Sequence, residues 1–537
     1  MKKNDEFEID ITDIGNDGEG IGKYDGMTFF IKGGLPGDRI LAGATKLKKT
    51  YGYARLVKVI TPSPFRVNPP CPIAGKCGGC QLQNISYEKQ LEIKESKVFN
   101  DIIRLGKVDP GRINQRDGSL IENSVIFHRI IGMENTLHYR NKGQFPVGSD
   151  KEGNIITGFY AGHTHSIIST EKCMIQHELT DYIMKTVRDF MVKFSIPAYE
   201  EPKSKENLSR TLKRKNPGKN NGIIEKNGHG LVRHILTRVG FRTHEVMVCI
   251  VINGKELPHW EELKNLLVAC IENYNRDLSE NAMPYYNLTS FSLNINTENT
   301  NVILGAQVKT LYGKPYFTDY IGDLEYRISP LSFYQVNPVQ TLKLYSTALE
   351  YAQKKDHFKN LTADCDVKIQ DKVALSDELY GKTIWDLYCG IGTISLFMAQ
   401  KAKKVFGVEI VPQAIEDAKK NAEINGIKNV EFICGAAEEV MPQKLRENPD
   451  LKADVIVVDP PRKGCDETLL KAIVKMEPER IVYVSCDPAT LSRDIAYLEE
   501  QGFILKEVQP VDQFPYSSHV ETCCLLTKCR SDEYCSP

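Results

Sequence analysis

Residues 386–396 read "DLYCGIGTISL", and this stretch decides the fold of the C-terminal part of the chain. It begins as an apolar strand, turns at Gly390 and Gly392, and continues with a helical pattern. A glycine turn between a strand and a helix lets the backbone approach a ligand at the helix N-terminus. Alone it is a weak signal, because it lacks the full dinucleotide-binding pattern.

Strand-like and helical runs alternate around this stretch from Lys382 onward. Helical patterns cover 393–402, 412–425 and 488–501. Such alternation with short loops is typical of an α/β fold with a parallel, doubly wound sheet, as in Rossmann-like domains. The last two strand-like runs, "FILKEVQPVD" and "HVETCCLLTK", are expected to form an antiparallel edge of that sheet.

Three chemically useful residues follow predicted strands of this sheet, where ligands of such folds bind. Glu409 ends the second strand and is expected to bind ribose hydroxyls, although a surface carboxylate would read the same way. Asp459 precedes two prolines that fix the backbone at the strand end, or merely make a turn. Cys486 lies between a strand and a helix that starts near Pro488. The N-terminus of that helix is expected to favour the thiolate. The alternative is an inert thiol, as most lone buried cysteines are.

Residues 1–62 show period-2 alternation and Gly/Asp turns, which predict a five-stranded barrel of the OB type. From Arg39 to Ile60 there are six Lys/Arg and no acid, with Tyr51 and Tyr53 among them. Basic residues interleaved with aromatic ones suit a nucleic-acid surface, and a solvated barrel face is the alternative.

Three cysteines, Cys71, Cys77 and Cys80, have the spacing C-x5-C-x2-C, and Cys173 lies further on. Four thiols can form a tetrahedral sulfur shell for zinc or an iron–sulfur centre, and spacing alone does not decide between them. In the same region "HYRNKGQFPV" contains Arg140 and Lys142, which either contact RNA phosphates or lie on a solvated strand edge.

The composition sets limits on the protein class. The net charge is −1, so any RNA-binding surface must be a local basic patch. There is no apolar run of about 18 residues and no signal-peptide pattern at the N-terminus, so we expect a cytoplasmic protein without a membrane partner. The fifteen cysteines do not suggest a disulfide framework.

The motifs "DLYCGIGT", "VDPPRKG", "YVSCDPATLSRD" and "HVETCCLL" occur in an order and spacing that resemble the RNA uracil-5-methyltransferase family. Large-subunit rRNA enzymes of that family carry an N-terminal TRAM domain. The resemblance covers nearly the whole chain apart from a basic insertion at 203–230 and a polar stretch at about 354–380. It implies a TRAM domain at 1–62, a central iron–sulfur and RNA-binding domain at 63–330, and a methyltransferase domain at 331–537.

The resemblance also implies S-adenosylmethionine as the methyl donor, Cys486 as the nucleophile and Glu521 in "HVETCCLL" as the proton-removing base. Without the resemblance, Glu521 reads as an exposed edge-strand carboxylate. Tyr388 and Thr393 stand where many relatives have Phe and Asn. The implied cofactor-binding positions are Gln335, Tyr388, Gly390, Thr393, Glu409 and Asp459.

For the four spaced cysteines, Cys71, Cys77, Cys80 and Cys173, the resemblance implies a 4Fe-4S cluster. It implies a monomer that acts on a single-stranded or flipped-out uridine of 23S rRNA. The alternatives are the same reaction on the T-loop of tRNA, a catalytically inactive RNA-binding factor, and N-methylation of DNA, which needs no cysteine nucleophile.

Overall fold

The structure is a computed structural model that describes residues 1–114, 124–162, 164–201, 229–278, 285–353, 381–448 and 451–529. The basic insertion expected at 203–230 lies outside these ranges except for its last two residues. The polar stretch at 354–380 lies outside them entirely. In the described chain, no helix combines the length and apolar character needed to cross a bilayer.

The N-terminal region is a closed five-stranded barrel, as the sequence predicts. Its strands follow the order β1-β2-β3-β5-β4, and β3 and β5 are parallel. Alternate residues point inward, so Phe7, Ile9, Phe29 and Ile31 form a small core. The strands are β1 (Glu6–Ile14), β2 (Gly20–Tyr24), β3 (Met27–Lys32), β4 (Arg39–Leu47) and β5 (Tyr51–Thr61).

The central region is built on a seven-stranded sheet that is covered by two helices. After a first helix, two short strands and a single 3-10 turn (Pro110–Arg112), the chain forms the sheet in the order β10-β9-β8-β11-β12-β13-β14. Helices α2 and α3 pack on it through Leu179, Ile183, Leu263 and Leu267. The elements are α1 (Tyr87–Arg104), β6 (Ile113–Asn114), β7 (Val125–Phe127), β8 (Lys142–Ser149), β9 (Ile155–Tyr160), β10 (Ile167–Ser169), α2 (Glu178–Lys193), β11 (Val232–Val239), β12 (Glu245–Ile252), α3 (Trp260–Asp277), β13 (Asn287–Ile295) and β14 (Gln307–Gly313).

The C-terminal region has the predicted α/β architecture and follows a two-stranded hairpin and a connecting helix. Five parallel strands, in the order β19-β18-β17-β20-β21, are continued by the antiparallel pair β23 and β22. The elements are β15 (Phe317–Ile321), β16 (Leu324–Ile328), α4 (Pro338–Gln353), β17 (Thr383–Leu387), α5 (Thr393–Ala399), β18 (Lys404–Glu409), α6 (Pro412–Ile424), β19 (Val430–Cys434), α7 (Ala437–Glu447), β20 (Val455–Val458), α8 (Glu467–Met476), β21 (Arg480–Ser485), α9 (Pro488–Glu500), β22 (Phe503–Val511) and β23 (Glu521–Lys528).

The edge of this sheet differs from the expectation. The last two strands are antiparallel, as predicted, but β22 is not the edge, because β7 pairs with it in parallel and β6 pairs with β7. Helix α1 also packs here, since Val98 and Ile102 share a core with Leu498 and Leu505. A segment from the first half of the chain therefore closes one side of the C-terminal sheet.

Candidate active site and cysteine cavity

Cys486, Glu521 and Asp459 meet at the carboxyl edge of the C-terminal sheet. In the antiparallel pair of β21 and β23, Ser485 lies opposite Thr522. Because the strands run in opposite directions, Cys486, which follows Ser485, lies opposite Glu521, which precedes Thr522. Asp459 directly follows β20, the parallel neighbour of β21. The fold thus brings together three residues that lie on separate motifs in the sequence.

Burial and mutual charge dominate the electrostatics of these three groups. Burial, together with the charge of Asp459, raises the pKa of Glu521 to about 8. Burial also raises the pKa of Asp459 to about 7. Both carboxyl groups therefore hold protons near neutral pH more readily than exposed acids do. Glu521 is only 4% exposed, so the interpretation of it as an exposed edge-strand carboxylate is wrong.

The pKa of the Cys486 thiol is raised, which is opposite to the direction expected from a helix N-terminus alone. Burial, followed by the charges of Glu521 and Asp459, raises the pKa of the thiol to about 11. The N-terminus of α9 is already capped, because the side chain of Asp487 accepts hydrogen bonds from the N–H groups of Ala489 and Thr490. The resting form of Cys486 is thus the neutral thiol, and ionisation must be assisted locally.

Arg462 is the cation of this group, and the sequence reasoning missed it. Its positive charge lowers the pKa of both Cys486 and Glu521 against the effect of burial. It follows Asp459, Pro460 and Pro461 directly. The signal was available, since a rigid diproline that aims Asp459 at the crevice also fixes the residue after it.

The glycine turn and Glu409 form a second part of the site. The carboxylate of Glu409 accepts hydrogen bonds from the N–H of Gly390 at 3.1 Å and of Val411 at 2.9 Å. Gly390 has a positive φ of 54°, and a Cβ placed on it would face open space. Gly392 has φ 82°, and a Cβ there would come within 2.9 Å of the Phe432 ring. The turn therefore presents an open backbone surface beside an acid, as a nucleoside-binding crevice requires.

The other expected cofactor positions have different surroundings. Tyr388 has a left-handed backbone with φ 69°, and its ring packs against the core of the sheet. The Thr393 hydroxyl is hydrogen-bonded to the Tyr345 hydroxyl at 3.0 Å. Gln335 is buried, and its carbonyl accepts a hydrogen bond from the Asn141 side chain at 3.0 Å.

Tyr345 connects the two parts of the site and was also missed by the sequence reasoning. It lies on α4, is fully buried, and bonds Thr393 at one end of the crevice. Burial, with the charges of Asp459, Asp386 and Glu521 among the further causes, raises the pKa of its phenol. No local pattern marks a helical tyrosine as part of a site, so only the three-dimensional packing identifies it.

The four spaced cysteines come together around one cavity in the central region. Cys71, Cys77, Cys80 and Cys173 all line a cavity of about 410 Å³. Burial, followed by the charge of Cys173 and weaker effects of the other two thiols, raises the pKa of Cys80 to about 12. Within the described ranges, no three His, Cys, Asp or Glu side chains are arranged to hold a metal ion.

Cationic side chains line the same cavity. Arg140 and Lys142 both face it, and burial together with the charges of Arg238 and Arg140 lowers the pKa of Lys142 to about 7. For Lys142 the alternative of a solvated strand edge is wrong, because it pairs with Arg238 of β11 and burial is the main cause of its lowered pKa.

A small aromatic cluster lies on the barrel among basic residues. Phe30, Tyr51 and Tyr53 have ring centroids 5.7–5.9 Å apart, and Tyr53 is 38% exposed. The nearby Lys46 lies opposite Tyr53 in the β4–β5 ladder. This barrel cluster combines a partly exposed ring with positive charge.

Comparison with known proteins adds the following matches. The family model described as tRNA (Uracil-5-)-methyltransferase matches residues 329–529, and the TRAM domain model matches residues 2–57. An uncharacterized RNA methyltransferase of Clostridium tetani is 42% identical over 98% of this chain and 97% of its own length. Another, from Halalkalibacterium halodurans, is 43% identical over 98% of each chain.

Among solved structures, the Pyrococcus abyssi tRNA (uracil-54, C5)-methyltransferase in complex with S-adenosyl-L-homocysteine shares the fold. The TM-score is 0.66 at 23% identity, and the match covers 97% of this chain and 100% of that one. The likeness thus includes the barrel and the central region as well as the C-terminal sheet.

Proposed function

The chain belongs to the RNA uracil-5-methyltransferase family, and from that premise we propose that it methylates C5 of a uridine in RNA through a covalent adduct with Cys486. One observation carries the proposal. Cys486 lies opposite the buried carboxyl of Glu521 and beside Asp459 at the carboxyl edge of the sheet. A nucleophile and a proton acceptor on one wall of a crevice are the two groups that this reaction requires.

The proposed reaction needs both groups because C5 of uracil is a weak nucleophile. The Cys486 thiolate forms a bond to C6, and the electrons of the C5–C6 double bond move into an enolate that makes C5 nucleophilic. S-adenosylmethionine, when bound, supplies the electrophilic methyl group that C5 accepts. Glu521 then removes the C5 proton, the double bond re-forms, and the thiolate leaves C6. Arg462 supports both the attack on C6 and the removal of the C5 proton, because its charge favours the Cys486 thiolate and the ionised form of Glu521.

The methyl donor fits the second part of the site. We assign its nucleoside to the Gly390 turn and to Glu409, whose carboxylate already binds the backbone of that turn. The open space where a Gly390 Cβ would lie supports this assignment. The other proposed contacts are Gln335, Tyr388, Thr393 and Asp459. Because Thr393 already bonds Tyr345, it can contact the donor only beside or in place of that bond.

We also propose that the cysteine cavity holds a 4Fe-4S cluster. Four thiols around one cavity of about 410 Å³ support a group of several atoms. A zinc-only metal analysis of anaerobically purified protein would contradict this assignment, whereas iron and acid-labile sulfide would support it.

As the substrate we propose a single-stranded or flipped-out uridine of 23S rRNA, bound by a cytoplasmic monomer. A thiolate at a strand end cannot reach C6 of a stacked base. The proposed division of labour places RNA contacts in residues 1–62 and 63–330 and chemistry in 331–537. The barrel and the cysteines support rRNA through the family resemblance, because tRNA enzymes of bacteria generally lack both.

The T-loop of tRNA is a second candidate substrate. The matching family model is described as a tRNA enzyme, and the similar Pyrococcus abyssi structure is a tRNA enzyme that extends over 97% of this chain. A barrel is thus compatible with either RNA. The two substrates must be separated by experiment.

Mapping of 5-methyluridine in a strain that lacks the gene separates them. We expect one or more 23S rRNA uridines to lose the modification while the tRNA T-loop keeps it. Loss in the T-loop alone would favour the second candidate, and loss in neither RNA would contradict both. Complementation with Cys486→Ala should fail, whereas Cys270→Ala, on α3 of the central region, is the matched control and should restore the modification.

A further inference from the structure

The loop that precedes Glu521 is held from outside the C-terminal sheet. It spans residues 512–520, between the end of β22 and the start of β23, and is called the base loop. Besides hydrogen bonds with Asn337, Gln340 and Thr341 at the start of α4, it has contacts with α1 and with the residues that directly follow Cys80, both in the first half of the chain. Because the base loop leads into Glu521, its conformation sets where that carboxyl group lies.

Lys94 of α1 makes the first of these contacts. Its side chain is 1% exposed, and Nζ donates to Asp512 Oδ1 at 2.6 Å and to the carbonyl of Phe514 at 2.9 Å. The other Asp512 oxygen accepts a hydrogen bond from the Tyr87 hydroxyl at 2.8 Å. These bonds use two of the three Lys94 donors and both Asp512 carboxylate oxygens, and such additional hydrogen bonds help to offset the cost of burying the two charges.

Tyr516 makes the second contact, in an unusual backbone conformation. Its φ is +69°, a left-handed value that bulky residues rarely adopt. Its carbonyl accepts hydrogen bonds from the N–H of Gln81 at 2.9 Å and of Leu82 at 2.8 Å. Its own N–H donates to Gln90 at 3.0 Å, and its hydroxyl bonds Thr136 at 2.7 Å. A strained residue held at every polar group indicates that the surroundings impose the conformation.

Gln81 makes the third contact and joins the base loop to the cysteine cavity. It directly follows Cys80, which lines that cavity. Its side-chain oxygen accepts a hydrogen bond from the N–H of Ser518, three residues before Glu521, at 3.4 Å. Its side-chain nitrogen donates to the carbonyl of Gly78 at 2.9 Å. The segment between Cys77 and Leu82 therefore touches both sites.

We propose that Lys94 and Gln81 are positioning residues for Glu521, so that α1 and the segment from Cys77 to Leu82 set the geometry of proton removal. This inference rests on the proposed role of Glu521 as the base. Helix α1 also packs against α9, which follows Cys486. Among the described residues, however, the hydrogen bonds of Lys94 and Gln81 reach the base loop and not Cys486, so the attack on C6 should depend less on them. A displacement of about 1 Å is enough to slow a positioned step by about 100-fold.

The test compares Lys94→Met with the wild-type full chain on a uridine-containing RNA substrate. We expect kcat to fall by about tenfold or more, and KM for RNA to fall with it because the covalent adduct accumulates, so that kcat/KM for RNA changes by less than about twofold. The methylated covalent adduct should accumulate on denaturing gels, because attack continues while proton removal is slowed. Lys94→Arg should restore part of kcat, and Lys89→Met, which removes the half-buried partner of the exposed Glu92 on the same helix, should behave like wild type.

Parallel loss of adduct formation and product formation in Lys94→Met would overturn the inference. If that variant does not fold, Gln81→Ala and Tyr516→Phe leave the ion pair intact and should show the same accumulation at about threefold lower kcat. If both of these variants then formed adduct and product in the same ratio as the wild type, the inference would be overturned. Failure of the proposed function is distinguishable, because the wild-type protein itself would then form no 5-methyluridine.

Discussion

The molecule contains two thiol sites whose partners differ. Burial raises the pKa of Cys486 to about 11 and that of Cys80 to about 12, so burial does not separate them. Cys486 is influenced by the carboxyl groups of Glu521, Asp459 and Asp487 and by Arg462, whereas Cys80 is influenced by three other thiols. Acid and base partners suit a thiol that forms and breaks a bond during turnover, and thiol partners suit one that is a permanent ligand.

The largest expected effect that sharpens this contrast is at Glu521, the proposed proton acceptor. Glu521→Gln keeps the size of the side chain but removes the proton acceptor, so we expect kcat to fall by about 10²- to 10⁴-fold. A methylated adduct should be trapped, as a slow band on denaturing gels with labelled methyl donor. Full activity without adduct would remove Glu521 from the role and leave Cys486 with no distinguishing partner.

Substitutions at the cysteine cavity should change metal content and stability and leave the covalent attack on RNA intact. Cys80→Ser or Cys173→Ser should abolish iron binding and lower Tm by about 5 °C or more, because a bound group contributes its binding free energy to folding. Covalent attack at C6 should survive in the protein that remains folded. Cys270→Ser serves as the control and should keep iron. Unchanged iron content in both ligand variants would contradict the assignment.

Arg462 gives a smaller effect that depends on pH. Its charge lowers the pKa of Cys486 and of Glu521, so in Arg462→Gln both groups should ionise at higher pH. We expect kcat/KM to fall by about tenfold near neutral pH, corresponding to about one pKa unit, and to recover partly as the pH rises towards about 9. Equal loss at every pH would show that Arg462 acts through contacts other than charge.

The smallest expected effect is at the barrel cluster. Tyr53→Ala should raise KM for RNA by about fivefold and leave kcat unchanged, since one stacked base contributes about 1 kcal/mol at the lower limit. Tyr24→Ala is a matched control, because Tyr24 has the same exposed fraction, 38%, as Tyr53. Equal KM values for the two variants would contradict a specific role of the cluster.

Much of the fold was predictable because periodicity and topology fix it. The alternation of apolar and polar residues predicted the barrel. The alternating strand and helix patterns predicted a parallel sheet, and Glu409, Asp459 and Cys486 lie at the ends of its strands. Topology therefore identified the crevice, and the antiparallel register of β21 and β23 then brought Glu521 opposite Cys486.

The parts that could not be predicted depend on contacts between distant segments. Strands β6 and β7 have two and three residues, too few for a periodic signal, yet they extend the C-terminal sheet. Lys94 and Asp512 form a buried pair across 418 residues. The raised pKa of Cys486 was likewise hidden, because the sequence shows the nearby helix start but not the burial and the carboxyl groups of Glu521 and Asp459 that raise it.

The most direct test of the central claim is the identity of the cysteine that attacks RNA. The wild-type protein is incubated with S-adenosylmethionine and RNA containing 5-fluorouridine, in which the C5 fluorine cannot be removed as a proton is. The adduct is digested and the modified peptide is sequenced by mass spectrometry. The account predicts a single modified residue, Cys486, within "VYVSCDPATLSR". An adduct on any other cysteine, or methylation of normal RNA with no adduct at all, would contradict it.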